Sequence, residues 1–192
     1  MSSTRSTVSS CSLRQVLAGS LVVLATVTAC SGKDPYSPGT KLGTFHVAAS
    51  LTSTSCGATP NPWAFDVQLN HDGSTLYWIQ GGAPIGATVD VSAHTQLQAQ
   101  VVDEVRAADP KTKLEACSIS RTDLVALNLA SADTKPTSDP ALTTSFTGTL
   151  IYTFAPTSGS DCSDQVVAAG GGYDALPCEV HYDLTGTFKS AP

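Results

Sequence analysis

The sequence predicts an all-β domain of antiparallel strands, closed as an up-and-down barrel of the lipocalin-like kind or folded as a two-sheet β-sandwich, with at most one short helix. Three observations carry the prediction. Apolar and polar residues alternate with period two through most of the chain beyond residue 42, Asp72-Gly73 places a strong hairpin turn between two such runs, and a helical spacing is found only over 95–108. Of the 192 residues 41% are hydrophobic, enough to bury a core. Ten Lys and Arg against sixteen Asp and Glu, scattered singly, make no basic face, so nucleic acid is excluded as a partner.

Taken in order, Phe45, Val47, Ala49 and Leu51 alternate with Thr44, His46, Ala48 and Ser50 as a first strand. Phe65, Val67 and Leu69 alternate with Asp66, Gln68 and Asn70. The chain then reverses at His71-Asp72-Gly73-Ser74 and returns over 75–80. Residues 81–86 (GGAPIG) form a turn with no phosphate-loop pattern, and 87–91 form a short strand. Over 95–108 Leu97, Val101 and Val105 fall four apart before Asp109-Pro110, yet the valines suit a strand equally, so helix and strand both stay open. From 117 to 129 Arg121 and Asp123 interrupt an otherwise apolar odd-numbered face, which fits two short strands or one bulged strand. Residues 146–154 and 180–188 match as antiparallel mirror images, with Phe146 facing Phe188, Gly148 facing Gly186, Leu150 facing Leu184, Tyr152 facing Tyr182 and Phe154 facing Val180.

The first 29 residues carry Arg5, Arg14 and no acid, followed by the apolar run VLAGSLVVLATV at 16–27. Twelve residues rise about 18 Å as a helix, short of the roughly 30 Å hydrocarbon core, so this reads as an export signal rather than a span. It is followed by Val27-Thr28-Ala29-Cys30. This motif resembles the lipobox of bacterial lipoproteins. The resemblance, confined to this region, implies cleavage before Cys30, lipidation of its thiol, acylation of the new amino group, and a cell-envelope location. Ser31, not being Asp, favours the outer membrane by that same resemblance. Three acyl chains make such attachment effectively permanent, where one chain gives only about 10⁴ M⁻¹. The domains expected are a signal at 1–29, a lipidated Cys30 with a Pro- and Gly-containing tether at 30–41, and one all-β domain at 42–192. Without Arg5 and Arg14 the remainder has eight basic and sixteen acidic residues, a charge of −8.

Removing Cys11 with the signal and Cys30 to lipid leaves Cys56, Cys117, Cys162 and Cys178, an even set that in an exported domain implies two disulfides. The mirror register brings the ends of the 155–179 connection together, so Cys162 is expected to pair with Cys178, a closure worth about 3 kcal/mol in the chain-entropy model. Cys56 then pairs with Cys117 by elimination.

Candidate chemistry is sparse. His46 and His181 share the polar parity of the first and last strands, and with Asp183 they would make a metal site if those strands paired to bring them together. Asp161, Asp164 and Asp174 lie in one loop but lack calcium-loop spacing, and no catalytic nucleophile motif occurs. No cofactor or metal is expected. Arg121 and Asp123 lie on the apolar parity of their strand: facing inward they need each other or a polar ligand, because an unpaired buried charge is costly, while a bulge would turn both outward. With Trp78 and Tyr152 they form the expected ligand-binding set. The leading reading is a lipid-anchored, non-enzymatic envelope protein with a binding or structural role. Its rivals are a carrier whose barrel cavity, lined by Phe45, Trp78, Tyr152 and Phe188, takes a small apolar ligand, an accessory subunit of an envelope complex, and an envelope enzyme.

Overall fold

Side chains two apart along a strand share a face, and in the computed structural model, which describes residues 34–111 and 113–191, the apolar faces roll together into one barrel-like sheet. The strands are β1 (Thr40–Thr54), β2 (Trp63–Asp72), β3 (Thr75–Ile79), β4 (Ile85–Thr88), β5 (His94–Arg106), β6 (Cys117–Ala130), β7 (Ser145–Pro156) and β8 (Cys178–Ser190). Their order is β4-β3-β2-β1-β8-β7-β6-β5, antiparallel throughout. Of the two architectures left open by the pattern, the barrel forms. First and last strands pair, and the seam falls between β4 and β5 in mid-sequence. The signal segment, Cys11 and Cys30 lie outside the described residues.

One end of the barrel is tightly closed. The two-residue turn after Asp72, with Gly73 at φ +58°, joins β2 to β3, and 89–93 joins β4 to β5 with Asp90 bonded to the amides of Ser92 and His94. Phe45, Leu76, Leu97, Leu127 and Phe146 fill the barrel without solvent contact worth counting. The stretch read as a tether is tied down here from Ser37 onward: buried Asn70 donates from Nδ2 to Ser37 Oγ (3.1 Å) and to the Pro38 carbonyl (2.8 Å). The 131–144 connection between β6 and β7 also lies at this end, and the opposite end carries 55–62, 80–84, 107–116 and the longest connection, 157–177.

Three expectations change, and one alternative left open is resolved. Residues 95–106 lie in strand β5 rather than a helix, since Leu97, Val101 and Val105 are all odd-numbered and so share one strand face as readily as a helix stripe. Strand β6 is a single run paired to β7 without a break from Ile119↔Pro156 to Ala130↔Ser145; the bulge lies on β5, between Glu104 and Arg106. The β7–β8 register is displaced by two residues, with Phe146 opposite Gly186, Leu150 opposite Tyr182 and Tyr152 opposite Val180. The Phe146 ring fills the space above Gly186, and Phe188 instead stands edge-on to Phe45 of β1 at 5.6 Å between centroids.

The disulfides join Cys56 to Cys178 and Cys117 to Cys162, not the pairs expected. Each strand has two neighbours, and the expected pairing considered only one. Cys178 opens β8 beside the end of β1, where Val180 pairs Thr54, and Cys117 opens β6 beside the end of β7. Sequence separations of 122 and 45 close longer loops than the expected one, worth about 5 and about 4 kcal/mol in the chain-entropy model. Both staples hold the loop end.

Candidate functional site

Arg121 and Asp123, two apart on β6, face the barrel interior and grip each other. Arg121 Nε and Nη2 donate to the two oxygens of Asp123 at 2.8 and 3.1 Å, a fork-to-fork pair whose guanidinium lies 5.6 Å from the Tyr152 ring centre. Asp123 is the better buried partner, its side chain 16% exposed against 41% for Arg121. Nη1 of Arg121 has no protein partner among the described residues and remains available as a donor. Burial, followed by the nearby Asp123 charge, pushes the Tyr152 hydroxyl up to about 12, so it stays protonated.

These three side chains floor a cleft of about 530 Å³ at the seam. The short β4 and the 80–84 loop form one wall, and residues 98–101 of β5 form the other. Trp63, Trp78, Val125 and Leu150 complete the apolar lining, with Gln80 among its polar groups. A smaller cavity of about 260 Å³ lies beyond, lined by Tyr173, Tyr182 and the 58–60 turn, and shares Trp63 and Tyr152 with the cleft. All four residues of the expected ligand-binding set thus meet in one place. The expected lining by Phe45 and Phe188 does not hold: both belong to the closed end, Phe45 wholly buried and Phe188 half-exposed.

The cleft exists because β4 has four residues and β5 thirteen. Near the closed end Thr95 Oγ1 donates to the Thr88 carbonyl and draws the two edges together; from that level β4 continues only three residues to Ile85, while β5 continues to Arg106. The unpaired edge of β5 escaped the sequence reading. The shortness of the 87–91 candidate beside the long 95–108 run was the available sign that one strand would be left partly uncovered.

No family model matches the chain, and no curated protein or solved structure matches it either. The cleft lining contains no histidine, serine, threonine or cysteine among the described residues.

The remaining candidates are drawn apart. Although β1 and β8 pair, His46 lies opposite Thr187 and His181 opposite Ser53, so the histidines stand at different levels of the sheet. His46 Nδ1 contacts Asp66, which also accepts from Lys189, and His181 Nε2 contacts Glu179. Among the three loop acids, Asp161 accepts from the Ser163 amide, Asp164 pairs with Arg106, and Asp174 stands near Gly57. No group of three potential metal ligands occurs among the described residues. Arg106 is a structural clamp: besides Asp164 it donates to the carbonyls of Glu115 and Asp161, tying together the loops beside the Cys117–Cys162 staple.

Proposed function

We propose that the chain is a lipid-anchored, non-enzymatic binding protein of the cell envelope, with the seam cleft as its binding site. The observation that carries this reading is the preformed Arg121–Asp123 pair laid over Tyr152 on an aromatic floor. A charged pair held at the base of an open cavity is costly to desolvate and adds little net stability, whereas it supplies oriented donors to an entering ligand. Two disulfides fit an oxidising compartment, and Val27-Thr28-Ala29-Cys30 supplies the anchor, with Ser31 favouring the outer membrane.

Two measurements test the two halves. An intact mass spectrum of the mature protein is expected to give a triacylated Cys30 and a gain of about four hydrogens on reduction; an unmodified N-terminus refutes the anchor. For the site, titration with N-phenyl-1-naphthylamine is expected to quench Trp63 and Trp78 by energy transfer, and Tyr152→Ala is expected to weaken that binding about tenfold. Binding that ignores the substitution places the probe elsewhere and removes the cleft from the proposal.

A further inference from the structure

We propose that the free edge of β5 takes up an extended, basic peptide segment as an added strand that closes the barrel; this rests on the cleft being the binding site and names its partner class. The argument begins with backbone alternation. Leu129 N donates to the Ala93 carbonyl at 2.9 Å, and the β5–β6 register then runs unbroken from His94↔Asn128 to Glu104↔Ser118. In an antiparallel pair successive residues turn their N–H and C=O alternately toward the partner and away from it. Odd-numbered residues of β5 therefore bond to β6, and Gln98, Gln100, Val102 and Glu104 turn theirs into the seam. No described strand pairs with that edge.

A row of backbone donors and acceptors at strand spacing is matched by another strand, because a compact molecule does not repeat at that interval. The edge also lacks the usual protection by lysine or proline: 98–104 contains neither, and Val101, Val102 and Val105 are 45%, 57% and 44% exposed. An added strand of seven residues spans about 23 Å and sends alternate side chains inward. There the cleft offers Tyr152 and the Arg121–Asp123 pair. Charge selects the partner further. Asp103 and Glu104 are exposed on the free stretch, while the neighbouring cations, Arg106 and Arg121, are turned to Asp164 and Asp123, so the segment opposite them is basic.

The test uses the disulfide-intact mature chain and the synthetic peptide acetyl-KTVTFTVTK-amide. Binding is expected to slow amide hydrogen exchange at Gln98, Gln100, Val102 and Glu104 and to weaken as salt rises. N-methylation of the peptide on the edge facing β5 is expected to cost at least tenfold in affinity. Val102→Pro removes an amide directed into the seam without breaking a β5–β6 bond, and is expected to cost as much while keeping both disulfides and probe binding. No binding by the peptide, or binding unchanged by N-methylation and by Val102→Pro, overturns strand addition. If N-phenyl-1-naphthylamine still fills the cleft in that case, only the peptide inference fails; if neither binds, the cleft reading fails with it.

Discussion

At the scale of single residues, the Arg121–Asp123 pair sets a cost that depends on which partner is removed. Arg121→Met leaves a mostly buried carboxylate without its two donors and is expected to destabilise the domain by about 1–3 kcal/mol, while Asp123→Asn keeps an acceptor and costs less. Urea unfolding of the two variants measures the difference; equal losses would mean that the pair is solvated. Glycines make a second residue-scale case. A methyl at Gly148 would run into the Ala126 carbonyl of the neighbouring strand, whereas one at Gly186 meets the Phe146 ring, a side chain able to shift. Gly148→Ala is therefore expected to be the more damaging, within the roughly 1–3 kcal/mol usual for overpacking, and thermal melting of both variants checks the order. Acid sensitivity follows from Asp164, whose carboxyl the Arg106 hydrogen bond holds below its usual value. A depressed carboxyl contributes stability above its unfolded pKa and loses it as pH falls through the lowered folded value. The 157–177 loop is expected to loosen below about pH 4, and Asp164→Asn to flatten that part of the melting-temperature profile.

Elements show how parity both informs and misleads. Period-two alternation located strand after strand, because side-chain direction is a local property of the backbone, but it left open a bulge turning Arg121 and Asp123 outward, which the unbroken β6–β7 register removes. Register is not local. A displacement by two residues leaves every side chain on its face, so pattern cannot separate Phe146 opposite Phe188 from Phe146 opposite Gly186, and the ring-over-glycine fit decides it. The same blindness misdirected the cysteines, since the closeness of Cys56 to Cys178 depends on β1 meeting β8, a pairing between the two ends of the domain. The cleft was legible in its floor but not in its walls, which come from the unequal lengths of β4 and β5. Non-reducing peptide mapping is expected to recover a Cys56–Cys178 fragment and a Cys117–Cys162 fragment. Replacing Cys117 and Cys162 together by Ala is expected to lower stability by up to about 4 kcal/mol and to free the 157–177 loop for proteolysis first. A Cys162–Cys178 fragment would instead restore the unshifted register.

Over the whole molecule the two poles differ in kind. The closed pole holds the hairpin turns, and the other holds both staples, the 157–177 loop and the cleft. β1 begins and β8 ends at the closed pole, since Thr44 lies opposite Ser190. This arrangement has a practical side for anyone handling the protein. A fluorescent domain or purification handle joined after β8 would sit at the closed pole, clear of the cleft, whereas a short epitope grafted into 80–84 or 157–177 would be displayed beside the cleft on a rigid, doubly stapled rim.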